Sequence, residues 1–167
     1  MNIEQAKLIA SEGLDGCTIT KVDEYKNIYA VHFVNNEYLK SRDFRDLAVG
    51  AGPRMVVKST GEMFITGSGQ TGAYYAKAYE ASGSVYGQPI DSIVIRKLPE
   101  SLTRDKAILL VKNICELNLA EARLIVDKAI ESEDARVDFD QWSQTEWKIN
   151  KLNESGFQIE QLWGVEC

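Results

Sequence analysis

Residues Gly50–Ser82 read GAGPRMVVKSTGEMFITGSGQTGAYYAKAYEAS, and this stretch decides the fold of the N-terminal half. Residues 54–58 and 62–66 are short apolar runs flanking Ser59-Thr60-Gly61, a three-residue hairpin loop with glycine where a positive φ is required. Gly67–Gly72 then leads into a helix over 73–81, which should turn Tyr74 and Ala78, with Tyr75 and Tyr79, toward the sheet. A hairpin followed by a covering helix specifies an α+β layer.

Toward the N-terminus, Ile3, Ala6, Ile9, Ala10 and Leu14 share one helical stripe, which Asp15-Gly16 ends. Strands are expected over 18–23 and 27–34, joined by a tight turn at Glu24-Tyr25-Lys26. Residues 37–47 are charged and read as a strand followed by a helical turn. Residues 1–83 thus form one α+β domain: an N-terminal helix, an antiparallel sheet and a helix. A linker over 84–90 follows, within the Gly- and Pro-bearing run GSVYGQP (Gly83–Pro89).

The second half, 91–167, reads β-α-α-β-α-β. A strand over 92–97 stops at Pro99, and a helix spans 103–116. Asn118 and Glu121 have the spacing of a capping box ahead of the stripe Leu119, Ala122, Val126, Ala129 and Ile130. Ala135, Val137 and Phe139 alternate as a short strand. A third helix begins near Asp140, carries Trp142, Thr145, Ile149 and Leu152, and ends at Gly156 before a strand over 157–162. This is a small α+β sandwich.

Composition bounds the function. Of the 167 residues, 44% are hydrophobic and 26% charged, the balance of a folded soluble chain. The opening MNIEQAKLIASEGL lacks the apolar core of an export signal, and no apolar run approaches a membrane span. Cys17, Cys115 and Cys167 are scattered and odd in number, which fits reduced thiols and a cytoplasmic location. The net charge of −6 falls entirely in residues 98–167, which hold 8 basic and 14 acidic side chains. That balance opposes nucleic acid and anionic membrane as ligands and favours a basic protein partner.

No motif specifies catalysis, a cofactor or a metal. Gly67–Gly72 precedes a helix as a phosphate loop would, but Ala73-Tyr74 stand where lysine and a hydroxyl residue are needed. His32, the one histidine, sits mid-strand without a serine or cysteine elbow, and scattered cysteines supply no zinc set. The run Glu131-Ser132-Glu133-Asp134, with Asp138 and Asp140, lacks the spacing of a calcium loop. Acids at a helix C-terminus also oppose its dipole, so local stability does not explain them. Glu131, Glu133, Asp134, Asp138, Asp140 and the outward-pointing Trp147 are therefore the candidate partner-binding residues.

Gly50-Ala51-Gly52-Pro53, the Ser59-Thr60-Gly61-Glu62 turn, the Gly67–Gly72 loop and the aromatic helix Tyr74–Tyr79 resemble the YrhB-like family, also classed as immunity protein family 35. The resemblance covers about residues 1–83. It implies a protein that acts by binding, as inhibitor of a cognate toxin or as a small stress chaperone. Residues 91–162 resemble the C-terminal domain of the bacterial ribosomal stalk protein, through Leu117–Val126 and Leu152-Asn153-Glu154-Ser155-Gly156. Asn118 and Ala120 depart from that pattern where the stalk protein has glycine and lysine. The expectation is a non-catalytic protein-binding module, an immunity protein that neutralises a basic toxin. The alternative is a chaperone-like or ribosome-associated interaction protein. A cavity around His32 with a neighbouring carboxylate would instead point to an enzyme.

Overall fold

A computed structural model describes every residue except 48, 140, 141, 166 and 167, and leaves the side chains of 142 and 143 undescribed. The chain divides into two compact units, the first built on Met1–Gln88 and the second on Pro89–Gly164. Residues 84–90, expected as a linker, contain Val85, which is fully buried in the first unit, and the start of a strand at Gln88.

The first unit carries α1 (Ile3–Ser11), β1 (Cys17–Glu24), β2 (Ile28–Asn35), α2 (Asn36–Ser41), a 3-10 turn (Phe44–Asp46), β3 (Ala51–Val57), β4 (Met63–Gly67) and α3 (Gly72–Ser82). Its four strands lie in the order β1-β2-β3-β4, all pairs antiparallel. β2 is covered on both faces, so its apolar residues run together instead of alternating. Ile28 and Ala30 pack with Met55, Val57 and the α3 residues Tyr75 and Ala76. Tyr29 and Val31 pack with Val56 and with Ala6 and Ala10 of α1.

One expectation is corrected here. Residues 36–41 form a helix, where a strand was expected, because the Asn35 side chain accepts the Glu37 N–H and caps the first turn. On α3 Tyr75 and Ala78 are buried and Tyr74 and Tyr79 pack partly covered against the core, as expected, and the buried Ala76 joins them. The cap at Thr71, whose hydroxyl accepts the Tyr74 N–H, sets that helical phase.

The second unit runs β5 (Gln88–Lys97), α4 (Arg104–Cys115), α5 (Leu119–Ile130), β6 (Arg136–Asp138), α6 (Trp142–Glu154) and β7 (Gln158–Gly164). Its antiparallel sheet has the order β6-β5-β7. Ile93, Ile95, Val111, Val126, Val137, Leu152 and Phe157 form the core between this sheet and the helices. The capping box is present at α5: Asn118 accepts the Glu121 N–H, and Glu121 accepts the Asn118 N–H.

Candidate functional site

Of the six residues expected to meet a partner, three occupy one turn. Helix α5 ends in a Schellman-type turn: Ser132 adopts φ 59°, and the Glu133 N–H donates to the Lys128 carbonyl five residues back. This geometry fans Glu131, Glu133 and Asp134 outward, all exposed. Among the described residues none forms an ion pair with any of the three, whereas Asp127 of the same helix is held bidentately by Arg104 at 2.6 and 2.7 Å.

Asp138 differs from these three. The Ser92 hydroxyl and Arg136 Nε (2.7 Å) both donate to its carboxylate, and those hydrogen bonds, Ser92 first, hold its pKa below the usual range. Its charge is balanced within the sheet, so it is a weak steering group. Trp147 is 53% exposed on α6, as its helical phase requires. Asp140 lies outside the described residues, as does the side chain of Trp142.

Beside Trp147, α6 turns Lys148 inward. Lys148 is 5% exposed, its ammonium pairs with Glu116 Oε2 at 2.9 Å, and it sits 5.0 Å from the centre of the Phe139 ring. These residues border a cavity of about 230 Å3 with Cys115, Leu117, Asp138 and Gln144. Burial pushes the Cys115 thiol up to about 12, so it is not a nucleophile at neutral pH. A shallower groove of about 170 Å3 lies between α4 and α5, lined by Ile108, Leu109, Leu119, Asp105 and Arg123.

The first unit holds a cavity around His32 with a neighbouring carboxylate, the arrangement that would point to an enzyme, and the carboxylate, Asp23, was not singled out in the sequence. His32 Nε2 lies 3.0 Å from Asp23 Oδ2, and Asp23 Oδ1 lies 2.7 Å from Lys21 Nζ. The Lys21 hydrogen bond, then that of His32, holds the Asp23 carboxyl below its ordinary value. Both residues line a cavity of about 350 Å3 with Tyr25, Phe33, Gly52, Pro53 and the loop Ser68–Ala73. The hairpin could have shown the pair. Asp23 is opposite Ala30, which places His32 on the diagonal of the same face. Among the described residues no hydroxyl or thiol hydrogen-bonds the imidazole, so the arrangement is a pair and not a nucleophilic triad.

Among the described residues no cluster of His, Cys, Asp or Glu could hold a metal ion, and no helix is long and apolar enough to cross a membrane. No family model, curated protein or solved structure matches the chain.

Proposed function

We propose that the chain acts by binding another protein, as an immunity-type inhibitor of a basic bacterial toxin. The observation that carries this reading is the acidic turn: three carboxylates, unpaired among the described residues, presented at a helix C-terminus where they oppose the dipole. A charge arrangement that costs local stability is explained by a partner of opposite charge, whose approach it accelerates. The motif in Gly50–Ser82 supplies the family context, and exposed Trp147 supplies a side chain of the kind that anchors interfaces. The test is to mix the chain with a basic toxin domain, where a neighbouring gene encodes one. A complex that weakens with salt supports the reading, and no complex at low salt ends it.

A second reading follows from the α4–α5 groove, where Leu109 and Leu119 are about half exposed. Such a surface suits a chaperone-like grip on apolar segments. Suppression of light scattering by an aggregating client, lost in Leu109→Glu, is its signature.

A further inference from the structure

The cavity beside His32 is explained neither by packing nor by partner binding through the second unit. Its carboxylate is already engaged, since each Asp23 oxygen has a partner, Lys21 on one and His32 on the other. A carboxylate only accepts, so His32 Nε2 carries the proton and Nδ1 is the ring atom left for another molecule. Among the described residues nothing hydrogen-bonds the Tyr25 hydroxyl, the Ser68 hydroxyl or the Gln70 amide, all at the same cavity. Tyr25 stays a protonated donor, because burial and then Asp23 push its phenol up. Gly72 lets the start of α3 approach the sheet beside the cavity: a Cβ there would lie 3.0 Å from the Ala30 Cβ, with the Tyr25 hydroxyl and His32 Nε2 at ordinary contact distances of 3.4 and 3.8 Å.

The charge balance then selects the ligand. Lys21, which does not line the cavity, offsets the Asp23 charge through their 2.7 Å ion pair, and the other lining residues apart from His32 (Phe33, Ala51–Pro53, Ser68, Gln70–Ala73) carry no charge. The site is neutral when His32 is neutral and positive when it is protonated. Tyr25, Ser68 and Gln70 can each donate a hydrogen bond, and His32 Nδ1 joins them as a donor once the ring is protonated. We propose that this cavity binds a small ligand through an oxyanion, carboxylate or phosphoryl, received by His32, Tyr25, Ser68 and Gln70.

His32 is the chain's single histidine, so its imidazole NMR signal needs no assignment. The full chain is titrated at about pH 6, where imidazole carries partial charge, with inorganic phosphate and separately with acetate. Sodium chloride at matched ionic strength is the control. Expected is a saturable shift with a dissociation constant of about 1 mM for at least one of the two anions. Saturation by phosphate alone identifies a phosphoryl ligand, and by acetate alone a carboxylate. Tyr25→Phe and Gln70→Ala, the latter on an exposed loop where folding is not at stake, should each weaken binding about threefold. A shift that never saturates, that chloride reproduces, or that is unchanged in both variants overturns the proposal.

Discussion

Lys148, buried in the second unit, reaches Glu116 at 2.9 Å, and Glu116 itself sits at φ 59° where α4 ends. A left-handed backbone normally recruits glycine or asparagine at this position. A glutamate there is strained, and the ion pair with a buried ammonium accounts for its presence. Removing one partner of such a pair strands the other charge. Glu116→Gln should therefore destabilise the second unit by about 2 kcal/mol, whereas Lys148→Met should stay within about 1 kcal/mol of the parent. Urea unfolding of the two variants checks the asymmetry; equal losses would contradict it.

The first unit contains a buried cation that has no carboxylate partner among the described residues. Arg54 is 8% exposed, donates from one terminal nitrogen to the carbonyls of Ala10 (2.9 Å) and Glu12, and has no partner for its Nε among the described residues. Those carbonyls sit at the end of α1, so Arg54 anchors that helix to the sheet. Arg54→Ala is expected to cost about 3 kcal/mol and to raise hydrogen exchange first in α1. Uniform exchange throughout the unit would argue against an anchoring role.

The glycines of Gly50–Ser82 are separable by what surrounds them. A Cβ on Gly52 would lie 2.1 Å from the Gly67 carbonyl oxygen, backbone against backbone, at an irregularity in the β3–β4 pairing. Gly69 has nothing within 4 Å. Gly52→Ala should cost about 3 kcal/mol, while Gly69→Ala should change stability by less than about 0.5 kcal/mol. Thermal melts distinguish these, and a neutral Gly52→Ala would mean that the close approach is not required.

Asp23 makes stability depend on acid. Its folded pKa lies below the unfolded value, so its contribution is complete above about 3.9, the ordinary aspartate pKa, and is lost as pH falls through the lowered folded value. Asp23→Asn should flatten the acid limb of the stability profile, and also reduce the loss at high pH, because Asp23 raises the pKa of Lys21 in the folded state. A variant whose acid limb keeps the parent slope would show that the pair with Lys21 and His32 contributes nothing.

Local chemistry made much of this architecture legible. The capping box at Asn118 and Glu121 and the alternation of Ala135, Val137 and Phe139 sit where pattern alone placed them. Residues 36–41 were opaque because they bury nothing: without an apolar stripe, only the Asn35 cap marks a helix. The pattern turned both Tyr74 and Tyr75 toward the sheet without ranking them, because neighbours on a helix differ by about 100°, and the Thr71 cap sets Tyr75 the deeper of the two. The acidic turn was visible as composition, but its separation into free and neutralised acids was not. Arg136 and Ser92 reach Asp138 from positions that no local pattern connects. The His32 cavity needed the hairpin register and the return of the Ser68–Ala73 loop together, and each was unremarkable when read singly.

The central claim is that the acidic turn meets a basic protein. The direct measurement is the association rate of the chain with a basic toxin domain, taken from a neighbouring gene where one encodes it, at low and at physiological salt, for the parent and for a Glu131→Lys, Glu133→Lys, Asp134→Lys variant. All three positions are exposed and lysines there favour the helix dipole, so the variant should melt at or above the parent temperature. The account predicts a complex whose association rate falls about tenfold or more with the charge reversal and also falls with salt. A complex that forms equally fast with the reversed turn, or no complex at low salt, would contradict it.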